Sequence, residues 1–171
     1  VSPFDAMQVT TQNSAETNGF KADTTQASLV KCTLNLDTGV LSLEFNDVID
    51  SRTMDPTKIA IQSDNSDSPD TAIYLTDANT PVNDPDYTVN LAMTNNEDLN
   101  RIKRWRNVGT SISTTNVRVL QDAFLDANIP QKSNVATTLQ CTEFTPDLTS
   151  PQLIGFDLNM ATVDGANGAV D

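Results

Sequence analysis

The sequence of 171 residues contains no histidine and no glycine-rich phosphate loop. Without histidine the chain has no Ser-His or Cys-His catalytic pair and no histidine metal site. No nucleophile elbow occurs, and carboxylate pairs carry no specificity because any acidic chain offers them. We therefore predict a non-enzymatic protein with no catalytic residue.

The chain is also poor in positive charge, aromatic residues and long apolar runs. Its 10 basic and 23 acidic residues give a net charge of −13, which disfavours nucleic acid and anionic membranes as partners. No apolar run reaches the length of a membrane span. The chain begins at Val1 without a signal peptide, so we expect a processed or excised chain whose export signal lies outside it.

The residues that are abundant favour short strands. Aromatic residues make up only 5%, and Val, Ile, Leu and Ala supply most of the apolar content, which suits a core built from many small strands. Thr, Asn, Asp and Ser are typical of turns and strand edges. This composition predicts an all-β fold.

The most informative feature is an internal repeat. Residues 23–36 and 147–160 match without a gap at an offset of 124, with identical Asp, Thr, Leu, Leu and Asn at five positions. A weaker match relates residues 7–10 to residues 139–142. Fixed periods of this kind indicate stacked units, and chance similarity between strands is the alternative explanation.

The repeat divides the chain into three parts. Residues 1–22 form an N-terminal tail that resembles the last strand of a preceding repeat. Residues 23–146 form a complete domain, which we call the repeat unit. Residues 147–171 form a C-terminal tail that resembles the first strand of the next repeat.

Alternating apolar residues predict the strands of the repeat unit. Residues 30–36 predict a half-buried strand with Val30, Cys32, Leu34 and Leu36 facing inward. An Asp-Thr-Gly turn at 37–39 leads into a hairpin partner at 40–45. Further strands are predicted around residues 59–61, 73–76, 87–93, 117–119 and 137–141.

One helix is predicted at residues 97–106. Thr94 and Glu97 fit a capping box at its start, and Gly109 is positioned to cap its end. Leu99, Ile102 and either Trp105 or Arg106 follow at helical spacing, and Trp105 is expected to pack into the core.

Several stretches resemble the immunoglobulin-like or cadherin-like repeats of large secreted and cell-surface proteins. They are Asp-Thr-Thr at 23–25, LDTGVLSLEF at 36–45, TMDPTKIAIQ at 53–62 and DLNRIK at 98–103. The resemblance implies an immunoglobulin-like β-sandwich with one short helix, located outside the cell, with an adhesive or filament-building role. Ala27 departs from the pattern, which has Pro there, and residues 161–171 lack the hairpin that should follow.

An incomplete terminal repeat leaves an apolar strand without a sheet, and such a strand needs partners for its backbone and its apolar face. Strand addition to a second copy supplies both, and a head-to-tail contact that does not close yields a filament. The alternatives are a tail folded on its own domain and a longer array cut by processing. The assembly residues are Leu153, Ile154, Phe156, Leu158 and Met160, and in the N-terminal tail Met7 and Val9.

The resemblance also implies a disulfide, because first and last strands are commonly neighbours in immunoglobulin-like sandwiches. Cys32 and Cys141 stand where the other repeat copies have Phe156 and Val9. Two buried thiols are the alternative.

Three further groups are candidate sites. Acidic loops that supply oxygen ligands for Ca²⁺, or that are simply solvated turns, hold Asp64, Asp67, Asp70, Asp77, Asp84 and Asp86. Residues before proline that suit covalent O-glycans are Ser2, Ser68, Thr80, Thr145 and Ser150; no Asn-x-Ser/Thr acceptor site for N-glycans occurs. A basic group that suits an acidic loop of a neighbouring subunit, or that is simply a solvated helix end, consists of Arg101, Lys103, Arg104 and Arg106.

The sequence thus predicts a structural subunit or repeat of an extracellular fibre, whose partners are copies of itself. A calcium- or carbohydrate-dependent adhesion module is the second interpretation. An exposed aromatic surface would favour it, with Trp105, Tyr74 and Tyr87 as the candidate residues.

Overall fold

The computed structural model describes residues 23–66, 71–76, 80–81, 85–93 and 96–156. These residues form two β-sheets and one α-helix. The strands are β1 (Leu29–Asn35), β2 (Val40–Asp50), β3 (Ile59–Gln62), β4 (Ala72–Tyr74), β5 (Thr80–Pro81), β6 (Asp86–Ala92), β7 (Asn116–Val119), β8 (Leu125–Asp126), β9 (Thr137–Gln140) and β10 (Glu143–Thr145). The helix is α1 (Asn96–Arg104).

The first sheet has six strands in the order β10-β1-β2-β6-β5, with β8 paired to the far end of β2. β1 and β2 form the predicted hairpin, in which Cys32 lies opposite Leu43 and Leu34 opposite Leu41. β10 joins the other side of β1 in a parallel pairing. The chain therefore enters the first sheet at the start of β1 and leaves it in the same direction at the end of β10.

The second sheet has four antiparallel strands in the order β4-β3-β7-β9. The segment 137–145 crosses between the sheets, since β9 pairs with β7 in the second sheet and β10 pairs with β1 in the first. One apolar core lies between the sheets, and the rings of Phe45 and Phe124 meet there edge to face at 5.1 Å. The described residues are thus an all-β arrangement of two sheets with one helix, as predicted.

A register shift at the start of β1 changes which side chains face inward. The pairing with β2 skips between Leu29 and Lys31, so Leu29 is buried and Val30 is 48% exposed. The predicted inward position of Val30 is wrong, because a bulge inserts one residue and reverses the alternation before it. Cys32, Leu34 and Leu36 face the core as predicted.

The hairpin turn and the helix pack together at the end of the unit where the chain leaves. Gly39 adopts a φ of 71°, and a Cβ atom there would lie 3.0 Å from Cδ2 of Leu99 in α1. Its carbonyl accepts a hydrogen bond from the backbone N–H of Met93 at 2.8 Å. The glycine therefore permits both the turn and the close approach of the helix.

The helix is shorter than predicted and ends at Arg104. The backbone N–H of Trp105 donates to the carbonyl of Ile102 at 3.2 Å, a tight final turn that leaves Trp105 outside the helix. Gly109 does not cap this helix: its N–H donates to the carbonyl of Thr114 at 3.0 Å and closes the loop that follows. Thr94 of the predicted capping box lies outside the described residues.

Asp98 anchors the helix to the second sheet. Its carboxylate is fully buried, accepts hydrogen bonds from the backbone N–H and hydroxyl of Thr76 at 2.7 and 2.9 Å, and pairs with Arg101 at 2.9 Å. Arg101 also donates to the carbonyl of Tyr74 in the edge strand β4 at 3.2 Å. A buried carboxylate needs such partners, and here they fix α1 across the end of the sandwich.

Candidate functional site

A disulfide joins the first strand of the unit to the segment that crosses between the sheets. Cys32 lies in β1 and Cys141 directly after β9, with Cα atoms 4.6 Å apart and both side chains buried. The bridge spans 109 positions of the chain, and closing such a loop contributes about 4–5 kcal/mol in the chain-entropy treatment. The bridge therefore ties β1 covalently to the segment that follows β9.

The Asp-x-Thr motif at the start of each repeat copy adopts the same local structure twice. The backbone N–H of Thr25 donates to Oδ1 of Asp23 at 2.9 Å, and the N–H of Thr149 donates to Oδ1 of Asp147 at 3.1 Å. These are two Asx turns at equivalent positions. The sequence match at an offset of 124 therefore extends to backbone hydrogen bonding at its first residues.

The second copy of the motif is anchored on its own repeat unit. Nζ of Lys103 in α1 lies 2.8 Å from Oδ2 of Asp147. Oδ1 of Asp37, in the β1–β2 turn, accepts from the backbone N–H of Leu148 at 3.1 Å and from the hydroxyl of Thr149 at 2.8 Å. The Lys103 ammonium, and then the N–H of Thr149, hold the pKa of Asp147 below its usual value.

Beyond this anchor the tail belongs to no strand and is exposed. Within residues 151–156 no strand pairing occurs, and Leu153, Ile154 and Phe156 are 84%, 98% and 78% exposed. The equivalent residues of β1 are Leu29, Val30 and Cys32, which lie in a sheet. Leu158 and Met160, and Met7 and Val9 of the N-terminal tail, lie outside the described residues.

The first copy of the motif lies in a cluster of acidic residues at the opposite end of the unit. Carboxylate oxygens of Asp23, Asp47 and Asp126 lie within 4.8 Å of one another. Nδ2 of Asn128 donates to all three, at 3.0, 3.3 and 3.3 Å. The side chain of Lys132 donates to the carbonyl of Asp23. The N–H of Thr25 is the main cause of the lowered pKa of Asp23.

Sequence spacing could not reveal this cluster, because its members are far apart in the chain and meet only through the fold. Asp126 is fully buried and accepts a hydrogen bond from the N–H of Lys132 at 2.8 Å. Carboxylate oxygens are ligands that Ca²⁺ prefers, so Asp23, Asp47 and Asp126 are the residues that could hold a divalent cation.

The acidic loops predicted as calcium ligands contribute no such grouping among the described residues. Asp64 accepts from the N–H of Ser66 at 2.8 Å, and Asp86 accepts from the N–H of Tyr87 at 2.6 Å, so both carboxylates bond to the backbone beside them. The other four candidates, Asp67, Asp70, Asp77 and Asp84, lie outside the described residues.

The three aromatic candidates are exposed but belong to different elements. Tyr74 in β4, Tyr87 in β6 and Trp105 after α1 are 40%, 52% and 50% exposed. The expected core position of Trp105 is wrong. The helix ends one residue before it, so Ile102 in the last turn is buried while Trp105 is exposed.

The basic residues of the helix have different surroundings. Arg101 pairs with Asp98, and Lys103 pairs with Asp147. Arg104 and Arg106 are exposed and form no ion pair with any residue of the described part of the chain. Among the candidate glycosylation sites, Thr145 is half-buried and Ser150 is exposed, while Ser2, Ser68 and the side chain of Thr80 lie outside what the structure describes.

Comparisons with protein families, with curated proteins and with solved structures find no match to this chain. Among the described residues, no helix is long and apolar enough to cross a membrane.

Proposed function

We propose that this protein is a structural subunit of an extracellular filament or repeat array, with an immunoglobulin-like repeat unit that assembles head to tail. The C-terminal tail of one copy adds as a strand to a neighbouring copy. The observation that carries the proposal is an apolar tail that is anchored at residues 147–149 and pairs with no strand at residues 151–156.

The cost of leaving this tail in water supports assembly. Burying a side chain such as Leu153, Ile154 or Phe156 gains about 1.5–3 kcal/mol each relative to full exposure, and a docked strand also satisfies its backbone groups. The disulfide favours an oxidising compartment outside the cytosol. Because the bridge ties β1 covalently to its own unit, we expect the tail to add to a sheet edge of its neighbour without displacing β1.

Truncation at Pro146 tests the proposal. The shortened chain keeps every strand and the disulfide of the described unit, so its circular dichroism spectrum and melting temperature should stay close to those of the full chain. We expect electron microscopy and light scattering to show filaments from the full chain and monomers from the shortened one. A shortened chain that still polymerises normally contradicts the proposal.

A calcium-dependent adhesion module is the second candidate, and the carboxylates of Asp23, Asp47 and Asp126 favour it. A cation that binds only the folded state raises the melting temperature as its concentration rises. This function is supported if CaCl₂ raises the melting temperature of the wild type and of Asp64→Asn but not that of Asp126→Asn. Equal melting temperatures with CaCl₂ and with a chelator reject it.

A further inference from the structure

The end of the unit where the chain leaves already holds the first residues of a second repeat copy. Residues 147–149 correspond to residues 23–25, and both form the same Asx turn. Only the second copy contacts Lys103 and Asp37. The first copy contacts Asn128 and Lys132 instead. One motif thus has two sets of partners, one at each end of the unit.

We infer that Lys103 and Asp37 form a junction site. They hold residues 147–149, the tail's own copy of the start motif, and so fix the direction in which the assembly strand, which begins at Leu153, leaves the unit. This inference rests on the proposed function. The partner is a second unit of this same fold, which receives the tail residues Leu153, Ile154 and Phe156.

The two copies of the start motif lie at opposite ends of the unit, so the junction joins units end to end. β1 and β10 are parallel, so the chain enters at one end of the sheet, near Asp23, and leaves at the other, near Asp147. A strand of seven residues such as β1 spans about 23 Å. The contacts of Lys103 and Asp37 therefore lie at the far end of the unit from those of Asn128 and Lys132.

The spacing along the chain limits where the second unit lies. β1 begins at Leu29, and its equivalent in the tail is Leu153, the same distance in sequence from the start motif. From the anchored Asp147, the assembly strand must therefore begin within about 20 Å.

The contacts of Lys103 and Asp37 lower the entropic cost of assembly. They order residues 147–149, which precede the assembly strand, before that strand docks. Two side chains of the folded unit hold three consecutive tail residues, whereas Ile154, a few residues on, is 98% exposed. A pre-ordered segment loses less conformational freedom on binding. Lys103 and Asp37 are accordingly positioning residues for the strand and do not belong to its docking surface.

A charge reversal with a neighbouring control tests the junction in the full chain. Lys103→Glu replaces attraction to Asp147 with repulsion. Arg104→Glu makes the same charge change one residue further along α1, where no contact with the tail exists among the described residues. Lys103→Arg keeps the ion pair. We expect Lys103→Glu to raise the critical concentration for filament assembly about fivefold. Arg104→Glu and Lys103→Arg should stay near the wild type.

A second substitution protects the test from effects on folding. Asp147→Asn removes the charge that pairs with Lys103 but keeps a side-chain oxygen for the turn, and residue 147 lies outside the core. It should raise the critical concentration in the same direction, with an unchanged melting temperature. If Lys103→Glu unfolds the chain, Asp147→Asn decides alone. If Asp147→Asn assembles at the wild-type critical concentration and truncation at Pro146 still blocks filaments, the junction is overturned and the proposed function stands. Filaments from the truncated chain overturn the proposed function and the junction together.

Discussion

At the scale of single residues, the glycine of the hairpin turn combines two constraints. Gly39 has a φ of 71°, and a Cβ atom there would lie 3.0 Å from Leu99. Gly39→Ala should therefore lower the free energy of unfolding by about 1–2 kcal/mol, through the strained φ and the contact with the helix. Chemical denaturation measures the change.

Gly155 supplies the matched control, since a Cβ atom there meets nothing within 4 Å. Gly155→Ala should change the free energy of unfolding by less than about 0.5 kcal/mol. Equal effects of the two substitutions would show that the turn does not impose the constraint described.

The disulfide is the second residue-scale feature with a large expected effect. Replacing Cys32 and Cys141 together by Ala removes the bridge and should lower the free energy of unfolding by about 3–5 kcal/mol. Urea denaturation measures this, and a reducing agent should lower the midpoint of the wild type to a similar extent. A midpoint that the double substitution leaves unchanged contradicts the stabilising role of the bridge.

At the scale of elements, the tail offers a comparison between two equally exposed isoleucines. Ile154 is 98% exposed in the tail and Ile129 is 94% exposed in a loop at the other end of the unit. If residues 153–160 form the assembly strand, Ile154→Asp should raise the critical concentration at least tenfold, the equivalent of about 1.4 kcal/mol. Ile129→Asp should have little effect.

Sedimentation measures the critical concentration of both variants. Their melting temperatures should equal that of the wild type, because neither side chain is in the core. A loss of assembly in Ile129→Asp but not in Ile154→Asp would contradict the assignment of the assembly strand to the C-terminal tail. In a filament, the side chain of Ile154 should be protected from solvent, whereas in the single chain it is exposed.

The elements that alternate cleanly were the most predictable. Cys32, Leu34 and Leu36 face the core because period-2 alternation and a turn glycine fix the β1–β2 hairpin locally. The bulge at Val30 could not be predicted, since it depends on pairing with β2. β10 escaped prediction because three residues give no periodic signal, and its parallel pairing with β1 is long-range.

The contacts of the candidate site were harder to predict for the same reason. The tail and its apolar residues follow from the repeat, but Lys103 and Asp37 come from separate elements and meet Asp147 only in the folded chain. Trp105 has helical spacing from Ile102, yet the early end of α1 leaves it exposed. The carboxylates of Asp23, Asp47 and Asp126 are brought together by tertiary structure alone.

At the scale of the whole molecule, the acidic residues determine the response to pH. Backbone N–H groups, hydroxyls or nearby cations lower the pKa of Asp23, Asp50, Asp55, Asp64 and Asp147. A lowered pKa in the folded state contributes stability above the unfolded value, and this stability is lost as the pH falls through the folded value. Acid should therefore destabilise the protein below about pH 4.

Between about pH 5.5 and 8, stability should be nearly constant, because the chain has no histidine to titrate in that range. Melting temperatures across a pH series measure both regimes. A decline that began near pH 6.5 would show that another group controls stability.

The bridge between Cys32 and Cys141 also determines how the protein responds to a pulling force. Tension applied through the two tails enters at Asp23, crosses from β1 to the end of β9 through the sulfur atoms, and leaves at Asp147. The 109-position segment that the bridge spans carries no force, so only the short stretches outside it can lengthen. Reduction would release roughly 350 Å of further extension, which makes the oxidised unit a nearly inextensible link.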